Sequence, residues 1–208
     1  MKKNKLIIFD WGEIVESHYE NFGTSQAFNE LFKVLGYKNE DIDIFKSLHK
    51  YKLSSISSME ELEETYNEIK KEFDLEKDFA AFVDNYIKIM DKIYYYKDVV
   101  EFEHSLKDKC YIGILSNLVI LDEKRINKQL NLSMYDYVFL SYKFGLKKPN
   151  KDIYEEVMKN IEFKPEEILF IDDSEKNIET AKSMGWNTLI ATGKELNKIK
   201  EKCYEFLK

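Results

Sequence analysis

Five short runs rich in β-branched or aromatic residues punctuate this chain: Leu6 to Phe9, Tyr111 to Leu115, Tyr137 to Leu140, Ile168 to Ile171 and Thr188 to Ile190. Continuous apolar runs, without polar alternation, are what strands covered on both faces require. Segments of helical length separate the last four, giving the βαβ rhythm of a doubly wound sheet. The pattern predicts an α/β fold with a parallel, five-stranded, Rossmann-like sheet. Two of the intervening helices have recognisable starts, with Asn150 before Lys151 to Asn160 and Ser174 before Glu175 to Met184, where Gly185 gives a stop.

From about Ser17 to Lys92 the rhythm changes to helix throughout, with no strand pattern. Met59, Leu62, Tyr66, Ile69 and Phe73 recur at helical spacing behind Ser57 and Ser58, each with a glutamate three residues on. Phe79, Phe82, Val83, Tyr86, Ile87 and Met90 form a second stripe. Both stripes read as the core of a helical bundle. The expected organisation is a core domain of residues 1–16 and 93–208, interrupted by a helical cap domain of residues 17–92.

Composition narrows the partners. The 208 residues are 44% hydrophobic and carry a net charge of −7, enough apolar material for a packed core and too acidic for a nucleic-acid partner, which needs basic side chains against phosphates. Lysines lie beside acidic residues along helical stretches, and the sole arginine, Arg125, reads with them as part of a solvated surface. No segment approaches the ~20 apolar residues of a membrane span. The apolar run behind the basic start is too short for a secretory signal. Cys110 and Cys203 lack metal-site spacing, which together with the rest points to a cytoplasmic protein. Oligomeric state stays open between a monomer and a weak dimer.

In an open parallel sheet, ligands sit beyond the carboxyl ends of the strands. Those ends collect Asp10 after the first strand, Ser116 and Asn117 after the second, Gly145 to Lys148 and Pro149 after the third, and Asp172 and Asp173 after the fourth. Singly, each is an ordinary turn or cap residue; the order of all four on one rim makes the case. Three carboxylates in one place repel unless something compensates them, and Mg²⁺ takes such oxygens together with a substrate phosphate. The Ser116 hydroxyl, the Asn117 N–H and the Lys148 ammonium suit phosphate oxygens. Asp10 can attack phosphorus in line to form an aspartyl phosphate.

The stretches FDWGEIV (Phe9 to Val15), ILSN (Ile114 to Asn117), GLKKP (Gly145 to Pro149) and FIDDSEKN (Phe170 to Asn177) resemble the four motifs of the haloacid dehalogenase (HAD) superfamily. The helical insertion resembles its type 1 caps. The resemblance implies a Mg²⁺-dependent phosphatase acting on a small phosphorylated metabolite. Asp10 would be nucleophile and metal ligand, Gly12 a ligand through its carbonyl, Asp173 a direct or near-direct ligand and Asp172 a second acidic support. Ser116, Asn117 and Lys148 would bind the phosphoryl group.

Most phosphatases of the superfamily read DxD and use the second Asp as general acid and base, a contribution of ~10²- to 10⁴-fold. Here that position is Gly12. The DxG motif is most similar to the bacterial α-D-glucose-1-phosphatase branch, whose leaving group needs little protonation, although that branch has Asn where this chain has Glu13. An extended backbone would turn Glu13 away from Asp10. His18, where the chain enters the insertion, is a candidate for reaching substrate, while His49 and His104 read as structural. Two alternatives remain: a metal-independent haloacid dehalogenase, which has no use for Asp172 and Asp173, and a non-catalytic phosphometabolite-binding protein lapsed at Gly12.

Overall fold

The computed structural model describes residues 3–39, 43–129 and 132–208. All five expected strands are present: β1 Leu6–Phe9, β2 Tyr111–Ser116, β3 Tyr137–Leu140, β4 Ile168–Asp172 and β5 Asn187–Ile190. They form one parallel sheet in the order β3-β2-β1-β4-β5. Leu6 registers with Tyr111 on one side and with Ile168 on the other. The first strand is therefore central and fully buried, which is why it needs no polar alternation.

Its two faces feed two cores. Ile7 and Phe9 pack with Ile112, Ile114, Leu169 and Ile171 beneath α5 (Lys97–Ser105) and α10 (Leu196–Leu207). Leu6 and Ile8 pack with Phe139, Ile168 and Phe170 beneath α8 (Lys151–Lys159) and α9 (Glu175–Ser183). Asn150 and Ser174 occupy the N-cap positions of α8 and α9, but neither side chain makes a capping hydrogen bond.

Between β1 and β2 lie α1 (Thr24–Val34), α2 (Ile44–Ser47), α3 (Met59–Glu72) and α4 (Phe79–Met90), with no strand among the described residues from Ser17 to Lys92; residues 40–42 lie outside them. These helices share their own apolar core, in which Tyr66 stacks on Phe82 at 4.6 Å. Leu62, Ile69 and Phe73 are buried as the stripe requires. Met59 is exposed, because it is the first residue of α3 and precedes the turn that packs. Ser58 alone caps α3, accepting from Glu61 N at 3.1 Å, while the Glu61 carboxylate accepts from Ser57 N.

The chain leaves for this insertion and returns from it along two adjacent passes. Ser17 N donates to Tyr94 O at 3.1 Å and Tyr96 N to Val15 O at 2.9 Å. Val119 and Leu121, in the loop after β2, belong to the insertion's core and tie it to the sheet rim. Among the described residues, no helix is long and apolar enough to cross a membrane.

Candidate active site

β1 and β4 are neighbours, and the chain reaches β4 only after building β2 and β3 on the other side of β1. The order in which strands are added thus reverses at β1, and the carboxyl ends there open a crevice. Asp10 follows β1 and keeps its register, with its N–H donating to Ile171 O at 2.9 Å. Ser116 and Asp172 are the last residues of β2 and β4. Lys148 arrives from the loop that follows β3 and α7 (Ser141–Phe144).

Lys148 Nζ lies 2.7 Å from Asp10 Oδ1 and 2.7 Å from Asp172 Oδ2, with all three side chains almost wholly buried. Burial pushes the Asp10 carboxyl up to about 7, with Lys148 opposing and the charges of Asp172 and Asp173 adding to the rise. Burial, then Asp172, push Asp173 up to about 6, against Lys148. Burial also works against the Lys148 ammonium, but Asp10 and Asp172 outweigh it and raise its pKa. Carboxylate oxygens of Asp10, Asp172 and Asp173 come within 4.8 Å of one another. Three hard oxygen donors, two of them held toward their neutral form by mutual charge and burial, make a set that a small divalent cation fits.

Asparagine side chains hold this arrangement. Asn117 Oδ1 accepts from Lys148 N at 2.9 Å and its Nδ2 donates to Lys148 O at 3.0 Å, so the Asn117 amide pairs with the main chain of Lys148. Asn177 Nδ2 donates to both Asp172 oxygens, at 2.9 and 3.0 Å, and Ser174 N donates to Oδ1 at 2.8 Å. Asp172 is thereby saturated with donors and aims Lys148. The part Asn177 plays lay unread in the fourth motif, although its offset of five residues from Asp172 puts it on the first turn of α9, facing the strand end.

Above the strand ends is a cavity of about 590 Å³ whose wall includes Asp10, Gly12, His18, Ser116, Asn117, Lys148 and Asp173. Its far side, supplied by the insertion, carries Phe28, Phe45, Leu48 and Met90, and His49 also lies there. His104 is remote and packs edge-on against Tyr135. Glu13 departs from the extended path expected of it. Its backbone is left-handed, with φ +55°, inside a turn closed by Val15 N and Glu16 N donating to Trp11 O. The Glu13 carboxylate accepts from His18 N and lies 3.9 Å from His18 Nδ1.

Arg125 is not part of a solvated surface: it is 2% exposed. Its guanidinium pairs with both Glu16 oxygens, with Asp122 at 3.1 Å and with the Tyr95 hydroxyl at 3.0 Å. Tyr86 of α4 donates to Asp122 at 3.0 Å, carrying the network into the insertion. The Asp122 and Arg125 spacing along α6 (Asp122–Gln129) was the available signal, since i and i+3 share a helix face.

A family model described as haloacid dehalogenase-like hydrolase matches residues 5–185. Among solved structures, a HAD family enzyme from Bacteroides thetaiotaomicron, in complex with magnesium and inorganic phosphate, aligns at 19% identity and TM-score 0.70 over 91% of this chain and 95% of that one. A HAD-like family hydrolase from Porphyromonas gingivalis aligns at 23% identity and TM-score 0.69 over 95% and 98%. The L-2-haloacid dehalogenase PA0810 aligns at 15% identity and TM-score 0.67 over 91% and 85%. At these identities the likenesses show the fold. With the family model spanning most of its length, the chain belongs to the haloacid dehalogenase-like hydrolases.

Proposed function

We propose that this hydrolase is a Mg²⁺-dependent phosphatase that transfers the phosphoryl group of a small phosphorylated metabolite to Asp10 and then to water. The observation that carries the reading is the buried charge set at the rim: one ammonium, Lys148, against three converging carboxylates. A nucleophilic Asp that attacks carbon has no need of two further carboxylates beside it. Their crowding favours the metal-assisted reading over a dehalogenase, and the intact set of Asp10, Ser116, Lys148 and Asp173 around the cavity favours an enzyme over a lapsed binding protein.

Asp10, Asp173 and the Gly12 carbonyl would hold the cation, with Asp172 in support. Bound there, Mg²⁺ offsets the negative charge that the carboxylates and the phosphate share. Trp11 N donates to Asp10 Oδ1 at 2.6 Å and Lys148 holds the same oxygen, fixing the carboxylate for in-line attack. Ser116 and the Asn117 main chain supply donors to the phosphoryl oxygens, and Lys148 meets the charge that builds on them. Helices α1 to α4 act as a type 1 cap, closing over the cavity and excluding water until the aspartyl phosphate is opened.

The motif likeness to bacterial α-D-glucose-1-phosphatases makes anomeric sugar phosphates the first metabolites to try, and a cytoplasmic location suits such substrates. Hydrolysis of an aryl phosphate and a panel of sugar phosphates, with Mg²⁺ and with chelator, tests the reading for the parent and Asp10→Asn. Turnover that needs both the metal and Asp10 supports it. Turnover that survives chelation or the substitution contradicts it, as does chloride release from haloacids in chelator.

A further inference from the structure

The room beside Gly12 is taken by His18. A Cβ built on Gly12 would come within 2.8 Å of His18 Cε1 and closer still to Nε2, so an imidazole stands where a side chain at position 12 would project. The ring is fixed from several sides. The Glu13 carboxylate accepts from the His18 main-chain N–H and sits on the Nδ1 side of the ring. Phe45 packs against the ring with centroids 5.5 Å apart, and Tyr19 meets it edge-on at 6.2 Å. The side chain is 26% exposed, and it lines the same cavity as Asp10, Gly12, Lys148 and Asp173.

We propose that His18 Nε2 is the hydrogen-bonding partner of the leaving oxygen, filling from the entrance to the helical insertion the place a side chain at position 12 would occupy, with Glu13 as its positioning residue. The inference rests on the phosphatase reading above. As the bond from Asp10 to phosphorus forms and the bond between phosphorus and the leaving oxygen breaks, the electron pair stays on the leaving oxygen, and a hydrogen bond donated by Nε2–H stabilises that charge until solvent protonates the departing group. The glycine is then what admits the imidazole, and the left-handed turn at Glu13 is what brings a carboxylate to hold it.

A role at the leaving oxygen has a signature that a packing role lacks, because the help it gives grows as the leaving group becomes poorer. The test compares kcat/KM for para-nitrophenyl phosphate, whose leaving group departs unaided, with that for a simple alkyl phosphate, both in saturating Mg²⁺. His18→Ala is expected to lose ~10²-fold or more on the alkyl ester and less than ~10-fold on the aryl ester. His18→Phe, which keeps a ring against Phe45 and Tyr19 and loses the N–H, with thermal melts of every variant, separates loss of the hydrogen bond from loss of packing or fold. Glu13→Ala is expected to show the same split at smaller size. Gly12→Asp is expected to lose activity on both esters because its Cβ overlaps the ring, and His18→Ala added to it restores at least ~10-fold on the alkyl ester, the carboxylate taking the vacated room. Equal loss on both esters, or no loss, in folded His18 variants overturns the role of His18 and leaves the phosphatase reading standing. A folded parent that hydrolyses neither ester, nor any sugar phosphate, overturns both.

Discussion

The Lys148 ammonium lies 2.7 Å from Asp10 Oδ1 in a site where it is the counter-charge for a buried carboxylate cluster. Removing one partner of such a pair leaves uncompensated charge in a low dielectric, which typically costs ~3–5 kcal/mol. Lys148→Met is therefore expected to lower the unfolding free energy in urea by that order, moving the midpoint down, and to reduce kcat by ~10²-fold or more, because on the proposed mechanism it also removes a donor to the developing charge. An unchanged midpoint would mean that Asp10 and Asp172 do not depend on this ammonium.

Cation binding at the same cluster should register without turnover. A ligand that binds only the folded chain stabilises it by ~2.7 kcal/mol at a hundred times its dissociation constant. Saturating Mg²⁺ is expected to raise the Tm of the parent, with a much smaller rise in Asp173→Asn, which removes a carboxylate that lines the cavity. Equal rises in both proteins would place the bound cation elsewhere.

Where the two passes of chain between sheet and insertion run side by side, Glu16 and Asp122 share Arg125. Arg125→Met strands two buried carboxylates and should cost ~3–5 kcal/mol by chemical denaturation. Adding Glu16→Gln removes one of them and is expected to return part of the loss. Strictly additive losses would argue against a coupled network.

Glu103 gives a pH dependence unrelated to catalysis. It is fully buried, its Oε2 accepts from the Tyr135 hydroxyl, and its Oε1 has no partner among the described residues. Burial pushes its carboxyl up to about 8 from an ordinary 4.5, with the Tyr135 bond opposing. Between those values the folded chain holds a proton that the unfolded chain has lost, so this group makes stability fall as pH rises through the window. Glu103→Gln is expected to gain on the parent steadily from about pH 5 to about pH 8 in thermal melts. A difference that stays constant with pH would mean Glu103 is ionised throughout.

The sheet was legible because buried parallel strands must be written as apolar runs, and Leu6–Phe9 and Ile168–Asp172 are. The rim was legible for a related reason: polar residues directly after such runs, as at Asp10, Ser116 and Asp172, have one place to go. What the sequence hid depends on contacts between segments far apart or on local turns. Arg125 pairs with Glu16, which is 109 positions away, so its burial had no local mark beyond Asp122. Glu13 was expected on an extended path, but a left-handed residue ends the alternation there and sends its carboxylate to His18. Asn117 was read for its main chain, whereas its side chain also positions Lys148. The nearness of His18 to Gly12 follows from the turn in which Glu13 sits, and spacing alone does not reveal a turn.

The most direct test of the account is whether Asp10 carries the phosphoryl group. Enzyme mixed with a turned-over phosphate ester and Mg²⁺, quenched in acid within a few turnovers and digested, is analysed by mass spectrometry for the peptide holding Asp10. The account predicts a phosphoryl adduct on Asp10 that disappears in Asp10→Asn and in chelator. Steady turnover in Mg²⁺ with Asp10 never modified, or an adduct on another residue, would contradict it.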